Sequence, residues 1–325
     1  EKRTVSRKAT MADSMVLGLQ STPTGAQIHP APTILPVPTT TLTRWNVAMS
    51  IFHGVFAAIT LIVGNTDLRV PVYGSGVTLI VGGTNGTNVG TDAEDGFALK
   101  PDFSERATWL YLTFATACFF LLSCVFHLGN ALLWRKPYFR ALAQGYAPFR
   151  WIEYAFSASV MILILAYTSG TTTLPVLVSL FGFTAITMSF GHLHEVICRP
   201  KSLEEWAVSS TLERLQAHII GYVPQCFAWA LVIAQFLEAG GESATDSRGD
   251  KSQMPSFVYA IVFGEVLIFW CFGLVQLVVS LRPPGKYYQG EIAYMFLSLF
   301  AKGLLGLLVL SNVLVLGSFT EIYES

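Results

Sequence analysis

Seven apolar segments, separated by more polar stretches, dominate the sequence. They cover residues 45–64, 107–134, 151–168, 174–197, 215–238, 256–281 and 289–317. Each can cross the hydrocarbon core of a bilayer as an α-helix, which needs about 20 residues at a rise of ~1.5 Å each. Because lipid offers no hydrogen bonds to the backbone, such runs form helices. The pattern predicts an all-α membrane protein built as a bundle of seven transmembrane helices.

The composition agrees with insertion into a lipid bilayer. Of the 325 residues, 52% are hydrophobic and 13% are charged, whereas soluble domains carry about 25% charged residues. The net charge of −1 gives no reason to expect a nucleic-acid partner. The five cysteines lie in or at the end of apolar runs and lack metal-ligand spacing, so we expect no metal site.

The distribution of lysine and arginine predicts how the chain crosses the membrane. With a cytoplasmic N-terminus, 14 of these residues lie in cytoplasmic segments and 5 in extracellular ones. Residues 1–10 contain four basic residues and resemble expression-vector sequence; without them the ratio is still 10 to 5. The excess of positive charge predicts a multi-pass protein with a cytoplasmic N-terminus and an extracellular C-terminus.

Polar segments flank and interrupt the predicted bundle at 44–317. Residues 11–43 are rich in proline and threonine and predict a disordered cytoplasmic tail, and residues 318–325 predict an extracellular tail. The longest loop, 65–106, falls on the extracellular side.

Within that loop, β-branched residues between Val70 and Val81 lie on both sides of Gly74-Ser-Gly76. This arrangement predicts a short β-hairpin. Asn85-Gly-Thr87 is a candidate glycosylation sequon on the same side of the membrane.

One lysine, Lys302, lies near the middle of the last apolar segment, with apolar residues about two turns to either side. Insertion scales give a central charge a cost of roughly 2.5–3.5 kcal/mol. Such a residue is kept when it is paired or chemically altered. The sequence alone leaves three interpretations: a partner for a carboxylate, the amine of a Schiff base with a carbonyl ligand, or a lone lysine tolerated inside the bundle.

A carboxylate and a hydroxyl are positioned to meet this lysine. Glu153 lies early in the third segment, and Ser298 lies one helical turn before Lys302. The third and seventh segments run in the same direction, so both groups approach the lysine from the cytoplasmic side. Glu153 is therefore a candidate counter-ion, and an interfacial carboxylate beside Arg150 is the alternative.

Four further polar residues fall inside or at the ends of apolar segments. His53 and His127 indicate either satisfied core histidines or a polar cavity that holds water beside the Lys302–Glu153 pair. Glu265 lies within the sixth segment and Glu238 ends the fifth, both toward the extracellular half. They are candidates for an outward proton path, although Glu238 also fits a residue at headgroup level.

Two motifs resemble those of the heliorhodopsins. The first is Arg150-Trp-Ile-Glu153-Tyr with Ser157-Ala-Ser and Met161, which is similar to the third-helix signature of that family. The second is Ser298-Leu-Phe-Ala-Lys302, which is similar to the seventh-helix signature. The cytoplasmic N-terminus and the strand-forming first extracellular loop also fit this family, and the resemblance covers residues 44–317.

The resemblance implies retinal bound covalently to Lys302 through a protonated Schiff base, with Glu153 as counter-ion and Ser298 as a hydrogen-bonding neighbour. His53 and His127 match the family's histidines in the cavity near the Schiff base. The implied pocket around the polyene is formed by Phe269, Gln276, Ser157, Met161, Met188 and Trp229. Thr184-Ala185 stands where the family often has Asn-Ala, a change expected to affect the absorption maximum rather than retinal binding.

Heliorhodopsins generally resemble non-pumping photoreceptors that dimerise partly through the first extracellular loop. The resemblance therefore implies a homodimeric light sensor that is not an enzyme, with a slow signalling photocycle after retinal isomerises. Glu238 and Glu265 leave a light-activated proton channel or transporter as an alternative. A third interpretation, from another class, is a retinal-free transporter or receptor in which Lys302 and Glu153 form a plain salt bridge.

Overall fold

The computed structural model describes residues 35–81, 97–102, 105–241, 244–245, 251–252 and 255–315. Within these ranges, seven helices are long and apolar enough to cross a membrane, which confirms the predicted architecture. In chain order the helices are α1 Thr39–Val63, α2 Leu112–Leu128, α3 Arg135–Ala143, α4 Pro148–Thr168, α5 Leu174–Leu193, α6 Leu203–Val208, α7 Thr211–Gly241, α8 Ser256–Leu281 and α9 Tyr287–Val309. All except the short α3 and α6 are candidate spans.

Three spans continue past their α-helical part as π-helical turns. These turns are Gly129–Leu133 after α2, His194–Cys198 after α5 and Leu310–Val315 after α9. A 3₁₀ turn, Pro284–Lys286, links α8 to α9. The spans therefore end within a few residues of the predicted boundaries.

Helix α4 is the most enclosed of the described spans, with 67% of its membrane window buried. It begins with Pro148 in its first turn, where a proline ring fits because the first helical N–H groups have no intrahelical acceptor. Both sides of α4 carry large side chains that join the main core, including Trp151, Met161 and Leu165. Residues on this helix are consequently surrounded by the other spans.

The N-terminal boundary of the bundle lies earlier than predicted. Helix α1 begins at Thr39, so residues 39–43 of the predicted disordered tail are helical. The reason is packing: Leu35 and Leu42 are buried against Tyr138 and Tyr287 at one end of the bundle. The rest of that predicted tail, residues 11–34, lies outside the described residues, as do Asn85 and the tail 318–325.

The loop between the first two spans contains four strands: β1 Arg69–Tyr73, β2 Gly76–Val81, β3 Phe97–Asp102 and β4 Arg106–Tyr111. The predicted strands exist, but the predicted pairing around Gly74-Ser-Gly76 is wrong. Instead β1 pairs antiparallel with β4, and β2 pairs antiparallel with β3. Residues 107–111, predicted to begin the second span, belong to β4.

Packing on the bundle explains this pairing. Val70 and Val72 of β1 are buried and belong to the main core, and Tyr73 N–H donates to the Thr172 carbonyl between α4 and α5. On β4, Trp109 lies beneath the guanidinium groups of Arg69 and Arg106 at 4.6 and 4.2 Å. A further short ladder, β5 Ala244–Thr245 with β6 Lys251–Ser252, lies between α7 and α8.

Candidate functional site

The Lys302 side chain is buried, and its nitrogen has two partners. Lys302 Nζ donates to Glu153 Oε1 at 3.0 Å and to Ser298 Oγ at 2.8 Å. Because Ser298 precedes Lys302 by four residues on α9, the hydroxyl lies one turn away on the same face. The lysine is 2% exposed and Glu153 is 2% exposed, so this ion pair is shielded from solvent. The structure thus brings together the three residues that the sequence selected.

A third helix holds the carboxylate in place. Ser123 on α2 donates its hydroxyl to Glu153 Oε1 at 2.5 Å. The carboxylate therefore accepts hydrogen bonds from α2 and α9 while it is carried by α4, and a buried carboxylate needs this kind of support. Arg150, the alternative partner for Glu153, pairs with Glu195 and Glu291 instead.

An apolar slot begins at Lys302. Its lining comprises Tyr154, Ala158, Met161, Met188, Phe269, Phe272, Ser298, Ala301 and Lys302. Its cavity volume is about 20 Å³, so the side chains that line it pack closely together. The Tyr154 ring lies 5.1 Å from Lys302 Nζ, so an aromatic face accompanies the cation at the start of the slot.

A second cavity continues from the slot. Met188, Phe269 and Phe272 line both cavities. The second cavity extends to Gln276 and His218 and has a volume of about 50 Å³. Gln276 is fixed there: His218 Nδ1 lies 2.9 Å from its Oε1, and its Nε2 donates to the Gly191 carbonyl at 2.9 Å. The two cavities together form an elongated, mainly apolar space with the amine at one end.

The remaining predicted pocket residues lie around this space. Trp229 is 2% exposed and meets the Phe269 ring edge-to-face with centroids 5.5 Å apart. Ser157 is buried on α4, one turn after Glu153, and its hydroxyl has no partner among the described residues. Neither Ser157 nor Trp229 lines the two cavities themselves.

The two histidines predicted near the lysine contact each other. The rings of His53 and His127 are stacked, with centroids 5.8 Å apart and planes inclined by 8°. Asn46 fixes the protonation of one ring. Its Nδ2 donates to the Leu42 carbonyl at 2.9 Å, so its Oδ1 accepts from His127 Nδ1 at 2.8 Å. In a neutral ring this leaves His127 Nε2 as the free acceptor, and it has no partner within the described residues.

Glu265 and Glu238 differ sharply in environment. Glu265 is fully buried, with neither carboxylate oxygen hydrogen-bonded by the described residues. It lies near the backbone of Leu305, one turn beyond Lys302. Glu238 is exposed at the end of α7 and accepts a hydrogen bond from Gln235 at 2.9 Å. The structure therefore places only Glu265 in the interior.

A buried charge cluster at the N-terminal end of α4, about one turn before Glu153, was not foreseen. Arg150 donates to Glu195 and to Glu291, and all three side chains are at most 5% exposed. Trp151 Nε1 also donates to Glu195 at 2.8 Å, and Tyr138 donates to Glu291 at 3.1 Å. Glu195 lies close to the end of a predicted apolar segment, where charged residues are commonly solvated, but the cluster makes it a core residue.

Comparison with known proteins identifies the family. The heliorhodopsin family model matches residues 42–314. The chain belongs to the heliorhodopsin family. No curated protein matches the chain.

Solved structures share the fold at low sequence identity. The transmembrane domain of the Salpingoeca rosetta rhodopsin phosphodiesterase is 10% identical with a TM-score of 0.53, covering 84% of each chain. A light-driven proton pump from Leptosphaeria maculans is 11% identical with a TM-score of 0.53, covering 86% of this chain and 96% of that one. Family and fold together support a retinal-based photoreceptor or other light-driven function in an integral membrane protein.

The residues present fit a retinal chromophore. Lys302 supplies a buried primary amine, Glu153 supplies an anion beside it, and the slot supplies an apolar space bounded by methionine and aromatic side chains. Covalent amine chemistry and charge compensation can therefore occur at one end of the space, and the rest of its lining is mainly apolar.

Sequence reasoning missed several neighbours of the site. Ser123 had a usable signal, because it precedes His127 by one turn and so shares its helix face. Tyr154 also had a usable signal, because it directly follows Glu153 in the sequence. His218 gave no signal, because its contact with Gln276 joins α7 to α8.

Proposed function

We propose that this protein is a light receptor in which retinal is bound covalently to Lys302, with Glu153 as its counter-ion. The observation that carries the proposal is the position of Lys302 Nζ, between Glu153 Oε1 and Ser298 Oγ at the start of the apolar slot. Bound there, retinal would supply absorption of visible light and a change of shape on isomerisation. The three interacting side chains hold the amine end still while the slot orients the polyene.

Each polar neighbour has a defined task in this proposal. Glu153 stabilises positive charge on the Lys302 nitrogen, because an anion at 3.0 Å in a poorly solvated site interacts strongly with it. Ser123 keeps the carboxylate in place, and Ser298 accepts a hydrogen bond from the nitrogen. Phe269, Met161 and Met188 exclude water from the slot.

The histidine pair offers a place for a proton after light absorption. With Nδ1–H committed to Asn46, His127 has Nε2 free to accept a proton. Since no protein group among the described residues occupies that nitrogen, protonation would break no existing hydrogen bond. We assign His127, stacked on His53, as the acceptor on this side of the site.

The excess of lysine and arginine supports a cytoplasmic N-terminus and an extracellular C-terminus. On the extracellular side, β2 would contribute to a homodimer, and its Val77 is 61% exposed. The receptor would signal through a conformational change rather than act as an enzyme.

The test is reconstitution with retinal. The purified chain should form a pigment that absorbs in the visible range, and Lys302→Ala should form none. Lys286→Ala, which removes an exposed lysine just before the start of the same helix, is the matched control and should keep the full band. A visible pigment in Lys302→Ala would refute the attachment site, and absence of a pigment in the unaltered chain would favour a plain salt bridge.

A second candidate function, light-activated proton transport, is favoured by Glu265. A buried carboxyl group without a partner is costly unless it is protonated or takes part in proton transfer. Glu265 on α8 lies near Leu305, one turn beyond Lys302 on α9. Together with the exposed Glu238 at the end of α7, it would form an outward path.

Voltage-clamped cells expressing the chain distinguish the two functions. Transport predicts photocurrents that disappear in Glu265→Gln or Glu238→Gln and persist in Glu213→Gln, an exposed control. If the unaltered pigment gives no photocurrent, the transport function is rejected and light sensing is the function that is left.

A further inference from the structure

A groove between α8 and α9 lies apart from the lysine site. It is lined by Cys271, Leu274, Val275, Val278, Val279, Arg282, Pro283, Lys286, Tyr287, Gln289, Gly290, Ala293 and Leu297. Its cavity volume is about 340 Å³, which lies at the lower end of the range for ligand sites. The two candidate spans that form it make it a feature of the membrane-facing surface.

The apolar part of this groove is open toward lipid. Leu274 and Val278 line it and are 52% and 44% exposed. At its back the two helices touch, because a Cβ on Gly290 would lie only 2.6 Å from Val279 Cγ2. The groove is therefore a furrow along the helix pair, and its apolar lining matches a chain of methylene groups.

Two cations stand at one end of the furrow. Arg282 ends α8, Lys286 precedes α9, and the 3₁₀ turn between them holds both side chains on the lining of the same groove. Both residues are exposed, and neither takes part in a salt bridge in the described part of the chain. Gln289 adds an amide beside them.

We propose that this groove binds an anionic phospholipid, with the phosphate at Arg282 and Lys286 and an acyl chain along Leu274 and Val278. Charge complementarity favours an anionic lipid. In a zwitterionic lipid the phosphate is already neutralised by the cation of the same headgroup, whereas the phosphate of an anionic lipid can pair with both Arg282 and Lys286. The proposed orientation supports this, because the groove's charged end then faces the cytoplasmic leaflet, where anionic lipids concentrate.

Native mass spectrometry of the full chain in detergent tests the proposal. Dioleoylphosphatidylglycerol and dioleoylphosphatidylcholine have the same acyl chains, so a difference in affinity reports the headgroup. We expect the first phosphatidylglycerol molecule to bind at least tenfold more tightly than the first phosphatidylcholine molecule. R282Q/K286Q should lower the affinity for phosphatidylglycerol about twenty-five-fold, since each cation near a membrane surface is worth about fivefold. It should leave the affinity for phosphatidylcholine unaffected.

Two controls make the result decisive. K136Q/R140Q removes two exposed cations at the same membrane side, on α3, and should lower the affinity less than threefold. Val278→Trp fills the apolar furrow and should weaken the first adduct of both lipids. Four results would each overturn the proposal. Two concern the headgroup: equal affinity for the two lipids, or oleate binding as tightly as phosphatidylglycerol. The others are an equal loss of affinity in the α3 control and unchanged binding in Val278→Trp.

Discussion

Replacing Glu153 by glutamine removes the anion beside Lys302 while it keeps nearly the same shape and a hydrogen-bond acceptor. At the observed 3.0 Å, two unit charges interact by about 5 kcal/mol with an effective dielectric constant of ~20. Removing one partner of a buried ion pair costs about 3–5 kcal/mol in measured cases. This free energy destabilises the protonated form of the nitrogen on Lys302. Its protonation equilibrium should therefore shift by two to four orders of magnitude toward the neutral form.

The assay is an absorption spectrum of the retinal-reconstituted variant at neutral pH. We expect a weaker visible band with a larger near-ultraviolet band, and a red shift of whatever visible band remains, because the anion stabilises the charged ground state. Glu238→Gln makes the same chemical change at an exposed carboxylate and should leave the spectrum unaltered. A Glu153→Gln spectrum identical to that of the unaltered protein would refute Glu153 as counter-ion.

Three further predictions concern the surroundings of the site. Ser298→Ala removes one hydrogen bond to a charged nitrogen, worth about 1.5–3 kcal/mol, and should shift the visible band slightly without loss of pigment; loss of the pigment would show that Ser298 does more. Arg150→Met leaves Glu195 buried without its cation and should lower stability by about 3–5 kcal/mol in thermal unfolding; an unchanged midpoint would contradict the burial of that cluster. Gly191→Ala places a Cβ in steric overlap with the Trp151 ring and should cost about 1–3 kcal/mol, whereas Gly182→Ala, with no atom within 4 Å of its Cβ, should be neutral or stabilising in the same measurement.

Residues that share one helix, or lie on helices of known direction, could be predicted from the sequence. Ser298 and Lys302 are one turn apart, and Glu153 lies at the corresponding depth of a parallel span, so their meeting follows from periodicity and topology. The seven spans follow from hydropathy alone. The histidine pair was selected for the same reason, as polar residues in otherwise apolar helices.

Features that depend on contacts between distant segments could not be predicted in the same way. Strand β2 is rich in β-branched residues and follows β1 closely in the sequence, so it was the expected partner. Burial of Val70 and Val72 of β1 against the bundle instead favours pairing of β1 with β4. Likewise, Glu195 and Glu291 lie near segment ends, where charges are commonly solvated. Only the packing of α4, α5 and α9 around Arg150 reveals them as buried partners.

The most direct test of the central claim is to trap the linkage between retinal and the chain. Borohydride reduction of the reconstituted pigment, followed by proteolysis and mass spectrometry, locates the modified residue. We expect one retinyl group, on the peptide that contains Lys302. A retinyl group on another lysine, or none on a chain that has formed a visible pigment, would contradict it.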